Sequence, residues 1–272
     1  MVWKFLKVAS LQPCPGGVTW IMEYFGQCVQ NGVELAAFWI GLISLLLWFF
    51  PLLPQLYTNY KRGQCEGVSV YFLLCWFLGD SLNLAGALLS KQLPTQIFVG
   101  IYYIFQDSVI LCQYCYYKVK NQWHNHLVRD LGQTTLRCVM IAATAQSLYS
   151  LKSTSVFHGG LDELGYSMGI ASAMFYLGGR IPQLYTNFKR VSTEGISMPM
   201  FYLMFAANFC YGLSVLLGGV GRDYFLLHLP WLLGSLGCCV LDSIIIWQHF
   251  HYRTNRADDE SSGIVGHEDI LH

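Results

Sequence analysis

Apolar residues along this chain come in long runs, and the charged residues gather between them. Leu35 to Leu53 has no charge, Val68 to Ser90 has only Asp80, and Leu93 to Tyr117 has only Asp107. Further on, Leu164 to Phe188 has only Arg180, Ile196 to Val220 has none, and Phe225 to Tyr252 has Asp242 among weakly basic histidines. Each run is long enough to form a helix across ~30 Å of hydrocarbon. Leu136 to Leu151 is shorter and is interrupted by Arg137 and Gln146.

The runs repeat. Residues 54 to 69 read PQLYTNYKRGQCEGVS and residues 182 to 197 read PQLYTNFKRVSTEGIS, an offset of 128 with 11 of 16 positions identical. At this offset Asp80 pairs with Asn208. At an offset of 135, Asp107 matches Asp242, Gln113 matches Gln248 and Tyr117 matches Tyr252. Three consecutive runs are therefore duplicated, and a repeat of this kind sets the architecture.

Charge placement orients the spans. Lys61-Arg62 and Lys189-Arg190 follow the two Pro-Gln segments, and the positive-inside rule puts both pairs in the cytosol. An even number of crossings must separate them, so Leu136 to Leu151 is expected to span. The expected fold is all-α and integral to the membrane: seven transmembrane helices, as two parallel three-helix repeats joined by a linker helix. The expected boundaries are a lumenal segment over 1–33, the first repeat over 34–118, a cytosolic loop and linker helix over 119–160, the second repeat over 161–253, and a disordered cytosolic tail over 254–272. With this topology ten Lys and Arg face the cytosol and three (Lys91, Lys152, Arg222) face the other side, although Lys4 and Lys7 dilute the bias. MVWKFLKVAS has too short an apolar core for a cleaved signal peptide.

Composition agrees with this picture: 54% hydrophobic, 15% aromatic and only 12% charged. No P-loop, nucleophile elbow or dinucleotide fingerprint occurs, and the basic residues are scattered, which argues against an enzyme and a nucleic-acid binder. Cys112 and Cys115 form a CxxC inside a span without companion ligands, so neither a metal site nor any cofactor is expected. His124 with His126, and His249 with His251, are spaced by two and suit a solvated or interfacial role.

Chemistry within the spans concentrates on a few residues. Pro54 and Pro182 each free a carbonyl four residues earlier, at Phe50 and Gly178, so a kink or hinge is expected in both halves. Gln55 or Gln183, a neighbouring helix or water would satisfy that carbonyl; a static kink is the plainer alternative. Asp80, Asp107 and Asp242 fall near the membrane midplane, where a carboxylate costs ~2.5–3.5 kcal/mol and should face a wet interior or serve as polar glue. Arg180 is the one cation in the spans, and its position near the helix end allows it to snorkel to the surface. Three acids against one base favour a positive guest, with Asn83, Asn208, Tyr211 and Tyr102 available for neutral hydrogen bonds, their alternative being packing. Cys14 and Cys28 precede the first span, where a disulfide can form.

The two Pro-Gln segments, Gly-Asp-Ser-Leu-Asn at 79–83 and His-Leu-Pro-Trp-Leu-Leu-Gly-Ser-Leu-Gly at 228–237 together resemble the PQ-loop transporters, which share a fold with the SWEET sugar carriers. Within that family they look most like the lysosomal exporters of cationic amino acids. The resemblance implies a multi-pass lysosomal protein that moves arginine, lysine and histidine to the cytosol. It also places an acidic residue of the last helix on the transport route. A lumen-positive potential would then drive one positive charge outward with ~2.3 kcal/mol per 100 mV. The expected partners are these substrates, the lipid membrane and a cytosolic regulatory protein complex on the lysosomal surface. Two other readings stay open: proton-coupled export of cystine or another small solute, and a receptor on the same scaffold. The chain has no N-x-S/T acceptor. Its end, Glu268-Asp269-Ile270-Leu271, resembles an acidic dileucine sorting signal with imperfect spacing.

Overall fold

The computed structural model describes residues 14–65, 67–89, 94–121, 160–219 and 221–268. Among these the chain is helical: α1 (Thr19–Phe25), α2 (Gly32–Leu47), α3 (Leu52–Arg62), α4 (Val70–Leu89), α5 (Pro94–Asn121), α6 (Gly160–Arg190), α7 (Met198–Gly218) and α8 (Arg222–Glu268). The linker segment 136–151 and the sorting residues Ile270 and Leu271 lie outside the described residues.

The start of α2 is fixed by polar chemistry. The Asn31 side chain accepts from the Glu34 backbone N–H at 2.9 Å, and the Glu34 carboxylate accepts from the Gln30 N–H at 2.7 Å, a reciprocal cap. A Cys14–Cys28 disulfide, Cα to Cα 5.6 Å, ties down the segment before it. Trp20 and Phe25 of α1 pack edge-on against Phe38 of α2, so this segment is anchored to the bundle at the end opposite the Lys-Arg pairs.

The duplicated proline does not produce the matched break that the sequence suggests. In the first half the helix ends at Leu47 and restarts at Leu52, with Pro51 at the N-cap of α3, so the break precedes Pro54. In the second half α6 runs on with Pro182 inside it. The cause is local: Pro51 has Gly179 as its counterpart, so only the first half has two prolines three residues apart.

At the break, the Phe49 and Phe50 N–H groups bond carbonyls three residues back, and the Leu53 N–H turns to the Phe50 carbonyl at 3.1 Å. The Phe49 carbonyl is thereby left without its usual backbone donor. Tyr102 Oη donates to it at 2.8 Å and Gln106 Nε2 at 2.9 Å, so α5 satisfies the broken helix, as hydrocarbon requires. Tyr102, which the sequence left open between substrate hydrogen bonding and packing, has this structural task.

The two triplets, α2/α3 with α4 and α5, and α6 with α7 and α8, interlock crosswise. The middle helix of each packs along the first helix of the other, α4 on α6 and α7 on α2. Small residues allow the approach, as membrane bundles require. Gly79 faces the Tyr176 ring, Gly179 faces Phe72 and Cys75, and Gly41 faces Ser214. Ser44 Oγ donates to the Ala207 carbonyl and Ser214 Oγ to the Ala37 carbonyl, both at 2.8 Å. Phe72, Trp76, Ile110, Phe201, Met204 and Ile245 form the shared core.

Among the described residues five helical stretches are long and apolar enough to cross a membrane: Gly32–Arg62, Val70–Leu89, Ile97–Asn121, Met198–Gly218 and His228–Thr254. The 31-residue α6 is long enough but more polar, and its Arg180, Gln183 and Asn187 are all buried against neighbouring helices. Helix α8 has 47 residues and continues to Glu268, where the sequence suggests a disordered tail. No proline interrupts the polar stretch after Tyr252, so nothing in it breaks the helix sharply.

Candidate functional site

Two buried polar systems occupy the bundle, one near its Lys-Arg end and one midway along the helices. The first is built from the repeated Pro-Gln segments. Gln55 Nε2 donates to the Gly195 carbonyl at 3.0 Å, and its Oε1 accepts from the Ser197 N–H at 2.7 Å. Gln183 Nε2 donates to the Gly67 carbonyl at 3.2 Å, and its Oε1 accepts from the Ser69 N–H at 2.7 Å. Each glutamine thus holds the turn before the middle helix of the opposite triplet. The two turns meet at glycine: Gly195 has φ +88°, and a Cβ on Gly67 would run into the Gly195 backbone. This crossed clamp, with an Arg62–Glu194 ion pair at 3.1 Å beside it, joins the two triplets at that end of the bundle.

A relay supports each half of the clamp. Gln55 and Gln183 donate to Asn59 at 2.8 Å and Asn187 at 2.9 Å, one turn on. Those asparagines donate to Gln113 at 2.9 Å and Gln248 at 3.0 Å. Gln113 and Gln248 close the circuit on the Leu56 carbonyl at 2.9 Å and the Leu184 carbonyl at 3.2 Å. Neither motif glutamine satisfies the carbonyl freed by its own proline, one of the three options the sequence left open. Gln183→Ala removes three hydrogen bonds at ~0.5–1.5 kcal/mol each. Its thermal unfolding midpoint in detergent should fall by several degrees, and an unchanged midpoint would show the clamp to be energetically idle.

The second system holds the acidic residues. Asp80 on α4 accepts from Tyr176 Oη at 2.5 Å, and Ser172 Oγ donates to the Gly79 carbonyl at 2.9 Å, so α6 pins the Gly-Asp run. Gly79 is what lets the Tyr176 ring lie close enough, since a Cβ there would sit 2.7 Å from it. Asp107 of α5 lies hydrogen-bonded against Asp80, and both are buried. Among the described residues Asp107 Oδ2 has no partner, nor does Asn208 Nδ2. These are an acceptor and a donor left open in the interior, where each costs free energy.

Asp242 stands apart from that pair. Its Oδ1 is 2.7 Å from Arg180 Nε and its Oδ2 is 3.3 Å from Arg180 Nη2, a two-pronged ion pair with both side chains essentially inaccessible. Arg180 also donates to the Tyr176 carbonyl at 2.8 Å and lies 5.9 Å from the centre of the Trp76 ring. The guanidinium therefore does not snorkel: it has a buried carboxylate to pair with. Of the other expected residues, Asn83 is half-buried one turn beyond Asp80, and Tyr211 is half-buried on α7, one turn beyond Asn208.

Tyr176, Arg180 as a partner of Asp242, and Pro51 were not singled out as a set by the sequence. The asparagines were legible in principle. Gln55 with Asn59 and Gln183 with Asn187 are four apart on one helix face, in segments already seen to repeat.

The PQ loop repeat model matches residues 36–96 and 164–220, which begin within α2 and α6 and take in most or all of α4 and α7. The lysosomal amino acid transporter 1 homolog of Homo sapiens is 37% identical, covering 96% of this chain and 98% of its own length. That of Gallus gallus is 37% identical over 89% of each. The vacuolar lysine transporter of Saccharomyces cerevisiae is 25% identical over 79% of this chain and 93% of its own. With the repeat present in both halves and relatives aligned along nearly their full length, the chain belongs to the PQ-loop family.

Proposed function

We propose that this protein is a multi-pass transporter of the lysosomal membrane that exports arginine, lysine and histidine to the cytosol by alternating access. The observation that carries the reading is the Asp80–Asp107 pair. Two buried carboxyls have each other and Tyr176 as described partners, with no Lys or Arg among them. Acidic groups inside a membrane bundle and short of counter-charge favour a cation. The names of the relatives, a vacuolar lysine transporter among them, support the substrate class. In this reading residues 34–118 and 161–253 form the two triplets, and 119–160 supplies the crossing that gives them the same orientation. The N-terminus is lumenal, where a Cys14–Cys28 bridge suits an oxidising space, and the Lys-Arg end is cytosolic.

The crossed glutamine clamp then serves as the cytosolic gate, with the Pro51–Pro54 break and Pro182 as the flexing points. Release requires Gln55 and Gln183 to let go of the opposing turns. The test is current in proteoliposomes with arginine, cystine or glucose on the lumenal side. Arginine-dependent current is expected. Folded protein that stays silent with arginine but carries cystine with protons, or that binds a ligand without flux, would overturn the reading.

A further inference from the structure

We infer that Asp107 is the seat of the substrate's cationic head, which takes there the place that Arg180 takes on Asp242 in the second triplet. This rests on the reading of the chain as a carrier of cationic amino acids and adds where, and in which half, the charge is bound.

Asp107 and Asp242 occupy equivalent positions, and the register is fixed in space as well as in sequence. Six residues beyond each, Gln113 and Gln248 make the same pair of bonds, to Asn59 and the Leu56 carbonyl and to Asn187 and the Leu184 carbonyl. On the facing first helix, Arg180 lies two residues before Pro182, and Leu52 lies two residues before Pro54. The second triplet therefore has carboxylate and guanidinium together, and both Asp242 oxygens are engaged. The first triplet has the carboxyl and a leucine, and Asp107 Oδ2 is buried without a partner among the described residues.

The packing differs in the same sense. α6 packs along α8, whereas α5 meets the first helix of its own triplet mainly through α3, and α2 makes at most a glancing contact with it. The seam closed by an ion pair in one half is looser in the other. The second open atom is also suited to the guest. Asn208 Nδ2 is a buried donor without an acceptor among the described residues, on the helix that packs on α2. An amino acid with a charged side chain brings a cation for Asp107 and a carboxylate for Asn208. Asp242, already neutralised, is outside the binding site.

Arginine and citrulline, which has nearly the same shape without the charge, are the probes. Uptake and ligand-induced thermal shift are measured on the full-length chain with Asp107→Asn, Leu52→Arg and, as a size control, Leu52→Met. Wild type and Leu52→Met should prefer arginine at least tenfold. Asp107→Asn should lose that preference, and Leu52→Arg, which supplies the missing guanidinium internally, should lose arginine uptake while unfolding no earlier than Leu52→Met. A folded Leu52→Arg that transports arginine normally, or an Asp107→Asn that keeps the arginine preference, overturns the inference alone. If Leu52→Arg does not fold, the arginine-to-citrulline ratio of Asp107→Asn decides. A wild type that takes up neither probe overturns the transport reading itself.

Discussion

Replacing Arg180 with leucine is expected to leave little folded protein. The substitution strands Asp242, which has no accessible surface, as an acid without its counter-charge in the packed core between α6 and α8. Removing one partner of a buried pair typically costs ~3–5 kcal/mol. Against the ~5–15 kcal/mol that holds a typical fold together, this is a large fraction. Asp242→Asn should be harmful for the converse reason, since it removes the counter-charge and leaves the buried guanidinium with neutral partners, the new amide oxygen, the Tyr176 carbonyl, the Met204 sulfur and the Trp76 face.

The double variant Arg180→Leu/Asp242→Leu separates pairing from packing. An ion pair taken out of water gains little net free energy over well-packed apolar groups, so the double variant should recover most of the loss. Monodisperse yield and unfolding midpoint in detergent would measure it. An Arg180→Leu protein as stable as wild type would mean that the pair is not maintained in the membrane. Arginine transport by the recovered double variant would show that Asp242 acts through folding and not on the route, contrary to the expectation drawn from the last helix.

The sequence made the helical architecture legible because hydrocarbon imposes a length and a polarity on each span, and because the duplication doubled the signal. Positions such as Gln113 and Gln248 could be matched without knowing what they bond. Their partners could not be read: Asn59 and Asn187 meet them only once the first and third helices of each triplet pack together, and the turns at Gly67 and Gly195 meet Gln183 and Gln55 only when the triplets interlock. The same limit applies to charge. Among the described residues three acids and one base are buried, but such a count says nothing of which acid Arg180 neutralises. That choice depends on α6 lying along α8, a contact between helices whose residues are 62 apart. The location of the break in the first helix was legible in Pro51 and missed because Pro54 belonged to the repeat and Pro51 did not.

Asp80→Asn is expected to assemble normally and to lose arginine transport. The amide has nearly the same shape, its oxygen can still accept from Tyr176, and Gly79 still admits the Tyr176 ring, so the α4–α6 contact is preserved. What disappears is the capacity for negative charge beside Asp107. A unit charge at about 4 Å in an environment of effective dielectric about 20 is worth ~4 kcal/mol, close to three orders of magnitude in affinity. Even a quarter of this after screening would lower affinity about fivefold. Tyr176→Phe provides the contrast, because it removes the hydrogen bond that orients Asp80 and leaves the acid in place; its loss should be several times smaller than that of Asp80→Asn. Saturation curves for arginine flux in proteoliposomes, normalised to reconstituted protein, distinguish the two. Normal arginine flux by a correctly assembled Asp80→Asn protein would remove Asp80 from the site. Equal losses in both variants would mean that the geometry of the α4–α6 contact, and not the charge of Asp80, limits transport.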